Sequence, residues 1–271
     1  MHRRAIPLKT VLVNTPDIEL WPGGLLRARS NQHARSLSGA DRVLRRKRDG
    51  RYLAVASRQG LQPLLPRLRG EPGLRAALDL IGAEPADGRK GWGRVRDLPL
   101  HRLHQRLDIL GIPETDYAGR TGLSLVAEPD WLAYAGEDRY RRPLWLRSDA
   151  ARAWLRMLDA ARRDQVVLEA ISGYRSHDYQ LGIFERKLDR GLTIDDILAV
   201  NAAPGFSEHH SGLALDIGAP GEAPAEESFE RSAAFAWLRA NARDHGFVMS
   251  YPRDNPHGIV YEPWHWRYAA E

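Results

Sequence analysis

Ser207-Glu208-His209-His210-Ser211-Gly212-Leu213-Ala214-Leu215-Asp216-Ile217 is the stretch from which the rest of this 271-residue chain can be read. Between Gly212 and Ile217 the residues alternate as in a strand, with Leu213, Leu215 and Ile217 on one face and Ala214 and Asp216 on the other. A carboxylate in so apolar a setting is costly to bury alone, so a cationic partner is expected, and arginine would serve as well as a metal. Two histidines precede it. Strict alternation turns His210 toward the Asp216 face, and His209 reaches it only if the chain bends at Ser211-Gly212. A second stretch, Glu262-Pro263-Trp264-His265, supplies another carboxylate and another histidine. An unbroken strand would point these to opposite faces, and Pro263 provides a local break that lets them converge.

Composition narrows the chemistry. Cysteine is absent, which excludes disulfide scaffolds, thiolate catalysis and Cys-ligated zinc and leaves only His and carboxylate ligands for any metal. With 43% hydrophobic residues, 8 Trp and 17 Pro, the chain reads as globular and long enough for one large or two modest domains. No stretch approaches the apolar length of a membrane span, and no export signal is recognisable after Met1, which leaves a cytoplasmic location open. The net charge of +5 is unevenly spread: residues 1–100 carry +11 and residues 101–271 carry −6. The densest basic run, Arg45-Arg46-Lys47-Arg48, suggests either an anionic polymer as partner or a solvated basic face.

Residues 1–100 form a basic N-terminal region of unassigned role, with apolar runs at Thr10 to Val13 and Tyr52 to Ala56 and a helix predicted near Gly73 to Ile81. Gly82 to Gly93 reads as a linker. Residues 101–271 form the second domain. There, helices are predicted from Ser148 as N-cap to Arg163, from Tyr179 to Gly191, near Ile194 to Val200 and from Phe229 to His245. Strands are predicted at Val166 to Ile171, Gly212 to Ile217, Phe247 to Tyr251 and Gly258 to Tyr268. Strands and helices intermix without a βαβ rhythm, which predicts an α+β fold with an antiparallel sheet flanked by helices.

The pattern Ser-x-His-x-x-Gly-x-Ala-x-Asp at 207–216 and Glu-x-Trp-His at 262–265 resembles the zinc D-alanyl-D-alanine carboxypeptidases of the VanY type, relatives of the L,D-carboxypeptidases. Ser172-Gly173-Tyr174-Arg175-Ser176, Asp178-Tyr179-Gln180, Gly246-Phe247 and Ser250-Tyr251-Pro252 resemble the same family, so the likeness runs from about residue 105 to 271. The resemblance implies a zinc DD-peptidase/Hedgehog-like fold. It also implies zinc held by His209, Asp216 and His265, with Glu262 as catalytic base and Arg175 engaging the substrate near the scissile bond or terminal carboxylate. Ser176, Gln180 and Ser207 match positions lining the family's substrate pocket. The implied substrate is a peptidoglycan stem peptide that loses a C-terminal D-alanine, by D,D- or L,D-cleavage, and a cell envelope or periplasmic location follows from that substrate.

Two other functions stay open: an endopeptidase of lysin type on the same fold, and a non-catalytic protein that binds an anionic polymer through its basic region. D,D against L,D preference and oligomeric state are not encoded in the motifs. His101 and His104 share a predicted helix face but lack a third ligand, so they read as surface residues. Trp264 and Trp266 flank His265 and read as core or pocket wall, and His257 has no assigned role.

Overall fold

The computed structural model describes residues 10–28, 30–83 and 94–269, apart from the side chains of Gln32, His101 and Arg102. Contacts divide the chain into two compact units, residues 1–98 with 129–134, and residues 99–128 with 135–271.

The first unit is an antiparallel meander of β1 (Val11–Asn14), β2 (Ile18–Pro22), β3 (Arg42–Arg46), β4 (Tyr52–Ser57) and β5 (Gly60–Pro63). Helix α1 (Asn31–Ser38) is inserted after β2, with the Ser30 hydroxyl accepting the His33 amide at its N-cap. Helix α2 (Leu74–Ala83) lies close to the predicted span. The predicted linker falls mostly outside the described residues. Leu37, Val43, Tyr52 and Val55 form a buried cluster, which Tyr52 and Val55 can share, although three apart, because the pairing of β4 with β3 shifts register between Leu44 and Arg45. In the basic run, Arg45 pairs with Glu19 at 2.6 Å, and Arg46 pairs with Asp49 and Glu71 at 2.7 and 2.9 Å.

The second unit opens with helices α3 (His101–Ile109) and α4 (Glu114–Thr121). The chain then enters β6 (Trp131–Glu137), whose first residues pair with β1 inside the first unit, and returns through β7 (Pro143–Leu146). Helix α5 (Ser148–Arg163) buries Ala150, Ala153, Trp154, Met157 and Ala161 at the i, i+3, i+4, i+7 spacing of a one-sided helix. Then come β8 (Glu169–Ser172), α6 (His177–Leu188), α7 (Ile194–Leu198), β9 (Ala214–Gly218), α8 (Ala233–Asn241), β10 (Phe247–Met249) and β11 (His265–Tyr268). The last strands make a four-stranded antiparallel sheet in the order β10-β11-β9-β8. The fold is therefore α+β, with antiparallel sheets and flanking helices. A core of Leu103, Leu107, Tyr117, Phe184, Ile197 and Phe206 ties α3, α4, α6 and α7 together.

Several predicted bounds are corrected. Ser148 is the first residue of α5 and Arg147 occupies the cap. Strand β8 starts at Glu169, because Val166 and Val167 still belong to the exit from α5, where Gln165 takes a positive φ and the Val166 amide bonds back to Ala161. The single helix predicted at 229–245 is a 3-10 turn at Glu227–Arg231, α8, and a second 3-10 turn at Ala242–His245, since Ser232 caps α8 anew with its hydroxyl. The strand predicted at 258–268 survives only as β11; Pro263 and the preceding turns deny a ladder to the rest.

Candidate metal centre and substrate cavity

The bend at Ser211-Gly212 exists and separates the two histidines. Glu208–Ser211 forms a 3-10 turn that Gly212 ends in the left-handed region, at φ 70°, where glycine carries no steric cost. His209 and His210 are both buried but point to different partners. The His210 Nδ1–H donates to the Arg175 carbonyl at 2.7 Å, and its Nε2 accepts the Gly205 amide at 3.1 Å, so both ring nitrogens are used. His209 spends only one nitrogen. Its Nδ1–H donates to the Gly173 carbonyl at 2.7 Å, which leaves Nε2 as a lone pair 3.2 Å from Asp216 Oδ1. Gly173 has to be glycine for this contact, because a Cβ there would stand 2.8 Å from Leu144 and 2.9 Å from the Trp145 carbonyl.

The sheet register brings the third group. Asp216 on β9 is directly opposite His265 on β11, and on the other side it faces Ser172, where β8 gives way to the Gly173-Tyr174-Arg175 loop. His265 Nδ1 lies 3.2 Å from the same Asp216 Oδ1, while its Nε2–H donates to Glu208 at 2.9 Å. Ligand atoms of His209, Asp216 and His265 all lie within 4.8 Å of one another, and all three residues are buried. Tetrahedral zinc with bonds of about 2.0–2.1 Å places its ligands about 3.3 Å apart, close to the 3.2 Å from Asp216 Oδ1 to each histidine nitrogen. An imidazole lone pair and a carboxylate oxygen facing each other without an intervening proton need a cation between them, so the donor set fits a divalent metal.

Electrostatics reinforce that demand. Burial pushes the Asp216 carboxyl up, but the Arg175 charge and the hydrogen bond from His265 overcome it and hold the group well below the ordinary carboxylate range. Burial and the nearby Arg175 charge bring His209 down to about 4, so its imidazole is neutral near pH 7. Burial also opposes a charge on His265, yet hydrogen bonds to Asp216 and Glu208 raise it to about 10. The turn after Tyr261 carries Glu262 to within 3.8 Å of His265 Nδ1, and the His265 amide donates back to the Glu262 carbonyl at 3.1 Å. Burial, countered by His265 and aided by Asp216, raises the Glu262 carboxyl to about 7.

A cavity of about 400 Å³ opens over this cluster, with Arg175, Gln180, Ser207, Glu262 and Trp264 among its walls. Arg175 donates to Asp216 Oδ2 at 2.8 Å, while its buried Nε has no partner. Gln180 donates to the Ala202 carbonyl at 3.0 Å and keeps Oε1 buried and unpartnered, a group available to a ligand amide. Ser176 is placed differently: its hydroxyl caps α6 by accepting the Tyr179 amide, and it is not among the cavity walls.

The loop bearing Arg175 rests on a second polar cluster. Glu128 accepts the Tyr174 hydroxyl at 2.6 Å and the His177 amide at 2.8 Å, and the His177 and His210 rings meet edge to face. Sequence reasoning missed Glu128, which has no motif around it. It also gave no role to Glu208, whose position between the motif's Ser and His was the available signal, or to Tyr251 of the Ser250-Tyr251-Pro252 motif, whose ring packs 4.7 Å from that of His265. His104 bonds Glu114 at 2.7 Å on the surface, and His257 bonds the Thr121 carbonyl at 2.8 Å; the His101 side chain lies outside the described residues. Trp266 is core, whereas Trp264 lines the cavity.

Three convergent donor groups with an adjoining carboxyl, lining a cavity, are an arrangement that could serve a metal-dependent hydrolase. Residues 143–271 match the VanY family model, described as D-alanyl-D-alanine carboxypeptidase. The bifunctional D-Ala-D-Ala dipeptidase and D-Ala-D-Ala carboxypeptidase VanXYC of Enterococcus gallinarum is 32% identical over 133 residues, 47% of this chain and 68% of that protein. The chain belongs to the VanY family of D-alanyl-D-alanine carboxypeptidases. It is also 35% identical over 178 residues to YodJ of Bacillus subtilis, covering 64% of each chain, and so spans less than two thirds of that relative's length. A solved complex of the D,D-pentapeptidase VanY from a VanB-type vancomycin resistance cassette with Zn(II) is 31% identical, covering 47% of this chain and 74% of that one, with a TM-score of 0.39.

Proposed function

We propose that this chain is a zinc metallocarboxypeptidase that removes the C-terminal D-alanine from peptidoglycan stem peptides, with residues 101–271 as its catalytic domain. The observation that carries this reading is the set of three donor atoms within 4.8 Å, with the Glu262 carboxyl 3.8 Å from His265 Nδ1 and its pKa pushed up by burial to about 7. His209 Nε2, Asp216 Oδ1 and His265 Nδ1 would hold zinc, which when bound makes water acidic and polarises a carbonyl.

Each remaining role belongs to the chain. Glu262 takes the proton of the attacking water and delivers it to the departing D-alanine amine, a task that suits a carboxyl titrating near neutral pH. Arg175 offers a fixed guanidinium to the negative charge that develops on the scissile carbonyl oxygen, or to the terminal carboxylate. Gln180 and Ser207 line the peptide's path, while Ser176 acts through the α6 cap that precedes them. Glu262→Gln should keep its zinc by elemental analysis and lose roughly 10²–10⁴-fold in turnover; full activity would remove Glu262 from the mechanism.

Mass spectrometry of digested muropeptides distinguishes this reading from its rivals. Release of free D-alanine alone supports a carboxypeptidase, and cleavage inside the stem would make the chain an endopeptidase. Binding of an anionic polymer by residues 1–100 rests on their net charge of +11. The carboxylates already paired with Arg45 and Arg46 weaken it at the densest point. The substrate puts the site of action in the cell envelope; among the described residues no helix is long and apolar enough to cross a membrane.

A further inference from the structure

One cation in the substrate cavity has no task in this mechanism. Lys187 lines the same cavity as Arg175, His209 and Glu262. It stands at i+7 from Gln180 on α6, with Phe184 between them at i+4, so the three share a helix face. Phe184 fills the core, leaving Gln180 and Lys187 to the cavity wall on either side of it. No carboxylate among the described residues pairs with the Lys187 ammonium. Partial burial, followed by the charge of Arg190, lowers its pKa from the usual 10.5. A partly buried cation lining a cavity without a counterion is relieved when an anionic ligand enters.

Helix geometry sets how far from the chemistry that anion lies. Arg175, just ahead of the α6 cap, bonds Asp216 at the metal centre. At about 1.5 Å of rise per residue, Lys187 is roughly 10 Å along the axis beyond Gln180 and about 16 Å beyond Ser176. An extended peptide advances about 3.5 Å per residue, so the carboxylate of a single departing residue stays within roughly one such step of the scissile bond. Arg175, beside the metal centre, matches that spacing, whereas Lys187 stands several residue lengths further along α6. An anion met by Lys187 therefore belongs to the retained, upstream part of the substrate.

We propose that Lys187 is a specificity-determining residue that binds a second carboxylate of the stem peptide, two to four residues before the scissile bond. This rests on the carboxypeptidase reading and adds the substrate class to it: an acidic stem, carrying a free carboxylate on a diamino dicarboxylic residue or on a γ-linked glutamate, over one in which those positions are neutral or basic.

The test uses a pentapeptide ending in D-Ala-D-Ala with D-isoglutamate second and meso-diaminopimelate third, and two analogues that each lack one carboxylate, D-isoglutamine second or L-lysine third. For the zinc-loaded protein, kcat/KM for D-alanine release should favour the parent over at least one analogue by about tenfold. Lys187→Gln should abolish that ratio and Lys187→Arg should keep it. An unchanged ratio in Lys187→Gln, or no preference in the unsubstituted protein, overturns the proposal; a merely structural lysine would lower all three rates together. If no peptide releases D-alanine, the carboxypeptidase reading fails by itself. Calorimetric binding of the same peptides to zinc-loaded Glu262→Gln, with and without Lys187→Gln, then decides whether Lys187 discriminates by the carboxylate.

Discussion

Two buried histidine–carboxylate clusters sit within one unit of this protein, and adjacent residues of a single 3-10 turn feed them. His210 joins His177, Glu128 and Tyr174, where both His210 ring nitrogens bond backbone groups and the His177 ring bonds the Val126 carbonyl through Nε2 and faces Glu128 through Nδ1. His209 joins Asp216, His265, Glu208 and Glu262, where a lone pair faces a carboxylate oxygen at 3.2 Å. The residue types are the same, and the difference lies in unspent hydrogen-bonding capacity. A satisfied cluster fixes a loop, whereas one with converging lone pairs calls for a cation.

Removing Asp216 should break the comparison most severely. Asp216→Ala is expected to lose bound zinc by elemental analysis and to fall by more than about 10³-fold in activity, because it deletes a ligand and leaves Arg175 and His265 facing each other's charge. The next effect falls on Glu208, which accepts the His265 Nε2–H and thereby aims Nδ1 at the metal position. Glu208→Gln should weaken zinc affinity by roughly 10–100-fold in a competition titration while the fold persists. His210→Phe tests the other cluster. It should retain one zinc per chain yet lose about 2–4 kcal/mol in denaturant unfolding, from the orphaned Gly205 amide and Arg175 carbonyl. Loss of zinc in this variant would show that the two clusters are not separable.

The smallest effect is a pH dependence. Because His265 is raised to about 10 from 6.5, protonation stabilises the zinc-free fold fully below about pH 6.5, and that contribution is lost as pH rises toward 10. Zinc competes for the same nitrogen, so thermal unfolding should lose stability over that window in chelator and much less in excess zinc. Identical profiles would place the metal elsewhere.

The helices of the second unit were most legible where apolar residues recur on one face, as in α5, because local spacing governs a one-sided helix; α6, whose buried face is mostly polar, starts at His177 and ends at Leu188, two and three residues before the predicted bounds. Strand ends were less legible. Val166, Val167 and the residues after Gly258 carry β-forming side chains, but a strand requires a partner ladder, and partners are not written locally. The same limit applied to the site. Asp216 drew attention as an acid on an apolar strand, whereas Glu128 gave no signal, since its value comes from bonds to Tyr174 and His177, 46 and 49 residues away.

By itself the sequence determined that any metal here must be held by histidine and carboxylate, since the chain has no cysteine, and that Asp216 needed a cation. Its motifs pointed to the family. Strand alternation could not choose between His209 and His210, and only the family likeness favoured His209; the tertiary structure supplies the physical reason, because a left-handed Gly212 and the 3-10 turn before it destroy the two-residue period and leave the His209 Nε2 facing Asp216. Likewise, it took the pairing of β9 with β11 to set His265 opposite Asp216, a contact across 49 residues that hydrogen bonding between strands fixes and local preference does not.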